Sequence, residues 1–166
     1  MGHEFSHGFD DQGSQYDGQG NLRNWWTDED RAAFEALADR LVAQYDAYEP
    51  LEGETVNGRL TLGENIADLA GLTMAHRAYR LSLGDEEAPV IDGFTGDQRF
   101  FLGWAQVWRT AYRDAYLTQA LKTDSHSPGM YRAVGPLSHI PGFYSAFDVQ
   151  EGDGLYLAPS DRIKLW

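Results

Sequence analysis

Apolar residues recur at helical spacing in three stretches of the chain. In the first, Phe34, Leu37, Leu41, Val42 and Tyr45 follow Thr27, a good N-cap, and Asp28, Glu29 and Asp30 occupy the positively polarised first turn. The spacing predicts a helix over about 28–48, ended by Pro50 and Gly53. In the second, Leu62, Ile66, Leu69, Leu72 and Tyr79 form a broad apolar face over about 62–83, which Gly84 stops. The third opens on Thr95 and Gln98, spaced as a capping box, and carries Phe100, Phe101, Trp104, Val107, Trp108 and Tyr112 towards about residue 121.

The stretches between are polar or broken by Gly and Pro. Residues 2–9 read as the end of a helix, and the glycine-rich 10–24 segment as a loop. Residues 51–60 are expected to be irregular or briefly extended, and Pro128, Gly129, Gly135, Pro136, Pro141 and Gly142 to prevent long regular structure, with a short helix near 143–147. No repeat or low-complexity tract divides the chain, so residues 1–166 are expected to form a single, mainly α domain.

Composition narrows the function classes. With 26 acidic against 13 basic residues the net charge is -13, which repels a nucleic-acid backbone, so nucleic-acid partners are set aside. No segment offers the roughly 20 apolar residues of a membrane-spanning helix, and no signal segment is visible. There are no cysteines. Any metal must therefore be held by histidine and carboxylate.

One such arrangement stands at the start, in HEFSH. Residues four apart in a helix share a face, so His3 and His7 can hold one ion, with Glu4 placed to reach a water on it. A catalytic zinc site needs a third protein ligand and an open position. Within GENIAD, Glu64 and Asp68 are four apart on a helix that otherwise looks buried, where an unpaired charge is costly. Glu64 can close a His2Glu set and Asp68 can accept a hydrogen bond from an imidazole; the alternative is a solvated acidic face. Further on, Asp124 can hold His126 charged towards an oxyanion and Arg132 can bind a carbonyl or carboxylate, unless both are simply exposed loop residues. His76 and His139 read as surface or satisfied core positions.

Together HEFSHGFDD, NWWT, LGENIAD, GWAQVW, KTDSHSPG with its following YR, and the terminal Trp resemble the carboxy-terminal catalytic region of the neprilysin and endothelin-converting enzyme family of zinc metallopeptidases. The motifs run in order across essentially the whole chain. The resemblance implies a thermolysin-like zincin helical subdomain, one Zn2+ on His3, His7 and Glu64, a general base at Glu4, and support from Asp68 and, more distantly, Asp10. It implies that His126, oriented by Asp124, stabilises the oxyanion and that Arg132 binds the substrate backbone. The implied activity is hydrolysis of short peptides by a zinc-activated water, with an apolar residue preferred after the cleaved bond. A non-catalytic zinc-binding or interaction module is the alternative.

Family members are several times longer, and the strand edge their amino-terminal part lends to the substrate has no counterpart here. The expectation is therefore a fragment of a longer peptidase, weakly active or inactive, whose missing amino-terminal part is a partner and whose exposed apolar surface favours self-association. The absence of cysteines points to a bacterial-type parent, and the resemblance, whose bacterial members are often exported, implies an extracytoplasmic (periplasmic or secreted) one.

Overall fold

The computed structural model describes residues 1–165; Trp166, one of the motif residues above, lies outside them. Seven α-helices follow in order: α1 Gly2–Ser6, α2 Asp28–Asp46, α3 Leu62–Leu83, α4 Gly96–Val107, α5 Asp114–Thr123, α6 Gly129–Val134 and α7 Pro141–Phe147. Among the described residues, extended structure is limited to three isolated bridges, so the chain is mainly α as expected.

The local signals act as their chemistry requires. Thr27 accepts the Asp30 N–H at 3.1 Å and starts α2. At α4 both halves of the capping box form: Thr95 accepts from the Gln98 backbone, and the Gln98 side chain accepts from the Thr95 N–H. Gly84, at φ 59°, ends α3 in a conformation that a side chain would strain.

The third predicted helix is corrected. It does not continue to residue 121 but stops at Val107, and α5 begins at Asp114. No Gly or Pro breaks it; tertiary contacts do. The intervening segment places the Trp108 ring 4.1 Å beneath the Arg132 guanidinium and lets the Tyr112 hydroxyl accept the Gly129 N–H. The segment around Pro128 forms only short helices, as expected, and Pro128 stands at the N-cap of the six-residue α6, where its missing N–H costs nothing.

One apolar core joins these elements. Phe34, Leu41 and Tyr45 of α2 meet Leu62, Ile66, Leu69 and Leu72 of α3, with Phe101, Leu121, Leu137, Ile140 and Phe143 closing the other side. Each fully buried aliphatic side chain contributes about 1.5–3 kcal/mol. The first half of α3 is buried on all sides, whereas 73–83 is mostly exposed. Into that buried half are set Asn65 and Asp68, each 1% exposed.

Candidate metal centre

α1 has only five residues, too few to persist alone, and lies along the buried half of α3. α3 turns Glu64 and Asp68, one turn apart, towards α1, which presents His3 and, at its C-cap, His7. His3 Nδ1 lies 2.9 Å from Asp68 Oδ1, and His7 Nδ1 lies 2.8 Å from Asp10 Oδ2. Asp10 is itself fixed by accepting the Gln12 and Gly13 N–H groups through its other oxygen. With each Nδ1 donating to its aspartate, each Nε2 carries a lone pair.

Those lone pairs converge. His3 Nε2 and His7 Nε2 are 3.1 Å apart, His3 Nε2 is 3.2 Å from Glu64 Oε2, and His7 Nε2 is 3.6 Å from Glu64 Oε1. Three acceptors at such spacing repel one another unless a cation stands among them. Burial disfavours a charged His7, yet the Asp10 hydrogen bond and the negative charges of Glu64, Asp10 and Glu4 outweigh it and raise its pKa. The donor set also has the right size for zinc: bonds of about 2.0–2.1 Å give a tetrahedron with edges of roughly 3.3 Å. His3, His7 and Glu64 are the group of His and carboxylate donors able to hold a metal among the described residues.

Around this triangle the structure brings together the remaining expected residues. Arg132 is buried, its Nε 2.7 Å from Asp68 Oδ2 and its Nη2 2.9 Å from Asp68 Oδ1 and 3.3 Å from Glu64 Oε2. Asp68 thus bridges His3 to a buried cation. His126 Nε2 approaches Glu64 Oε1 at 3.3 Å, while its Nδ1 meets Asp124 Oδ1 at 2.8 Å. The Asp124 pKa is lowered first by the His126 backbone N–H that it accepts, and further by the His126 side chain. Glu4 is exposed, beside His3, and its carboxylate is tied by no hydrogen bond or ion pair to a described residue.

Two supports escaped sequence reasoning. Trp108 carries the Arg132 guanidinium on its face, and no spacing in GWAQVW marks that role. Asn65 accepts the Ser127 hydroxyl at 2.8 Å and donates to Thr61, tying the His126 loop to α3. A polar residue inside a buried helical turn was the available signal. Beside His126 and Arg132 opens a cavity of about 180 Å3, lined in part by Val107, Trp108, Tyr112 and Leu117.

The model of peptidase family M13 matches residues 1–163. The chain belongs to peptidase family M13. Endothelin-converting enzyme 1 of Cavia porcellus is 43% identical over 100% of this chain and 22% of its own length. Neutral endopeptidase of Lactococcus lactis subsp. cremoris is 39% identical over 100% of this chain and 25% of its own. Among solved structures, the zinc metalloprotease of Mycobacterium tuberculosis in complex with inhibitor superposes with a TM-score of 0.96 at 51% identity, covering 99% of this chain and 26% of that one. This M13 chain therefore spans about a quarter or less of the relatives it matches, and its kinship is with zinc metallopeptidases.

Proposed function

We propose that this M13 chain forms, as one domain over residues 1–166, the zinc-binding catalytic unit of a longer peptidase that cleaves short peptides. The observation that carries the reading is the donor triangle of His3, His7 and Glu64, in which each imidazole is backed by a carboxylate. One zinc ion held there supplies Lewis acidity and lowers the pKa of a bound water to about 7.

The chain's own residues do the rest. Asp68 and Asp10 hold the imidazoles in the ligating tautomer. Glu4, whose carboxylate has no hydrogen bond or ion pair to a described residue, accepts the proton from the attacking water as general base. His126, its Nδ1 on Asp124, presents Nε2 to the oxyanion. Arg132 uses Nε and Nη2 on Asp68 and Glu64, and Nη1 makes no hydrogen bond to a described residue, which leaves it for a substrate carbonyl. The adjoining cavity, walled by Val107 and Trp108, suits an apolar side chain.

Glu4 is exposed and His126 is about half exposed, so water is poorly excluded and turnover by this chain alone is expected to be weak. Phe5, Phe9, Trp25 and Met74 leave an apolar surface beside α1, which fits contact with the rest of the peptidase or self-association. No helix among the described residues is long and apolar enough to cross a membrane. An extracytoplasmic setting for the longer peptidase is part of this reading; a relative 38% identical, of Mus musculus, carries the name membrane metallo-endopeptidase-like 1.

The test is cleavage of a quenched fluorescent peptide by the zinc-loaded chain and by Glu4→Gln. Loss of a general base is expected to cost roughly 10²–10⁴-fold in rate with bound zinc unchanged. Equal rates in the two proteins sink the role of Glu4.

A further inference from the structure

The donor triangle closes only if α1 lies unusually near α3, and the closest approach is between backbones. A Cβ built on Gly71 of α3 comes within 2.6 Å of the His3 backbone nitrogen and 2.9 Å of its Cα. The same approach is met from the other helix: a Cβ on Gly2 comes within 3.0 Å of the Gly71 carbonyl oxygen and 3.1 Å of its Cα. At the other end of the contact, a Cβ on Gly63 meets Asp10 Oδ2 and Asp11 Oδ1, each at 3.0 Å. Gly63 and Gly71 bracket Glu64 and Asp68 on α3, and the atoms they admit belong to His3 and to the aspartate that orients His7.

We propose that Gly71 is a positioning residue whose missing side chain sets the α1–α3 separation and with it the size of the His3–His7–Glu64 donor triangle. The inference rests on the reading of that triangle as a zinc site. Backbone atoms cannot rotate away as a flexible side chain can. Restoring an ordinary contact of 3.4 Å from 2.6 Å moves His3 by about 0.8 Å. A metal site tolerates displacements of only about 0.2 Å in its ligand distances, so His3 leaves the ligating position while the core beneath α3 is untouched. Gly63 faces carboxylate ends, which can give, so its demand is softer.

The experiment compares Gly71→Ala, Gly2→Ala and Gly58→Ala with the wild type in three measurements. They are zinc affinity by competition with a chelator, the visible spectrum of the cobalt-substituted chain, and the urea unfolding midpoint of the metal-free chain. Gly58→Ala is the control, since a Cβ there strikes the Val42 carbonyl of α2, away from the triangle. Gly71→Ala is expected to weaken zinc roughly 10–100-fold, the scale of losing an orienting partner, and to weaken the cobalt bands. Gly2→Ala, whose Cβ meets the Gly71 backbone at the looser distance of 3.0 Å, is expected to weaken zinc a few-fold. Gly58→Ala is expected to lower the urea midpoint with the cobalt spectrum of the folded chain unchanged. If Gly71→Ala and Gly2→Ala bind zinc as the wild type does, or if Gly58→Ala changes the cobalt spectrum equally, Gly71 has no positioning role. A wild type that binds no zinc overturns the proposed function and this inference together.

Discussion

His139 and the pair His3–His7 are both set in polar clusters between helices, and they are built in opposite ways. At His139, Nε2 bonds to the Gln44 amide oxygen at 2.6 Å and Nδ1 accepts the Ile163 N–H at 3.0 Å. Both nitrogens are satisfied by neutral groups, and burial, helped by Arg40 and Arg162, pushes the pKa down to about 4. At His3 and His7 the Nδ1 partners are carboxylates, and the Nε2 atoms converge on each other and on Glu64. Neutral partners close an imidazole and make it a joint; a carboxylate behind it raises its basicity and leaves the other nitrogen to act. The kind of partner, more than the histidine, separates the joint from the site.

The comparison is broken most severely at the carboxylate that serves both imidazole and cation. Asp68→Ala leaves the Arg132 guanidinium buried without its principal partner. Removing one member of a buried pair costs about 3–5 kcal/mol, to be read as the change in urea unfolding free energy of the metal-free chain. The double variant Asp68→Ala with Arg132→Met is expected to recover much of that loss. A cost below about 1 kcal/mol for Asp68→Ala would show that the cluster around Asp68 is solvated rather than closed.

The joint is tested by acid. Folded, His139 stays neutral to about pH 4, whereas its ordinary value is 6.5. Between those values the unfolded chain binds the extra proton, so stability is full above pH 6.5 and falls as the pH drops towards 4. The whole window is worth roughly 3 kcal/mol. Unfolding free energies at pH 7 and pH 4 should differ by about that much more in the wild type than in His139→Gln, which cannot titrate. Parallel losses in the two proteins would assign the acid sensitivity to carboxylates instead.

This contrast was only half visible in the sequence. His3, His7, Glu64 and Asp68 announce themselves because helical spacing of four is a local property, and α2, α3 and the start of α4 follow from caps and periodicity. From the sequence His139 is equally a surface or a satisfied core residue, and the structure shows the second; its partners lie 95 and 24 positions away, beyond any periodic signal. The same distance hid the break between α4 and α5, which is imposed by Arg132 on Trp108 and by Gly129 on Tyr112. His76, whose Nε2 lies 3.0 Å from Asp97 Oδ1 in the first turn of α4, was hidden by the same sequence distance, although its partner is a carboxylate and it has no converging donor set. Local chemistry was legible, and pairing across the fold was legible only where the motifs carried it, as between His3 and Asp68.

The mildest way to sharpen the comparison is to make a site histidine resemble the joint. Asp10→Asn keeps an oxygen for the Gln12 and Gly13 N–H groups and turns the group facing His7 Nδ1 from an acceptor into an amide donor. The His7 Nδ1 proton then has no acceptor, and the favoured tautomer puts the proton on Nε2, where a metal ion needs the lone pair. Loss of such an orienting partner costs roughly 10–100-fold in metal affinity, equivalent to about 1.4–2.7 kcal/mol. Chelator competition reads that loss directly, and the urea midpoint of the metal-free chain should move little, because the loop bonds remain. If zinc affinity holds in Asp10→Asn, His7 takes its tautomer from the ion alone, and the carboxylate behind it is no part of what distinguishes the site from the joint.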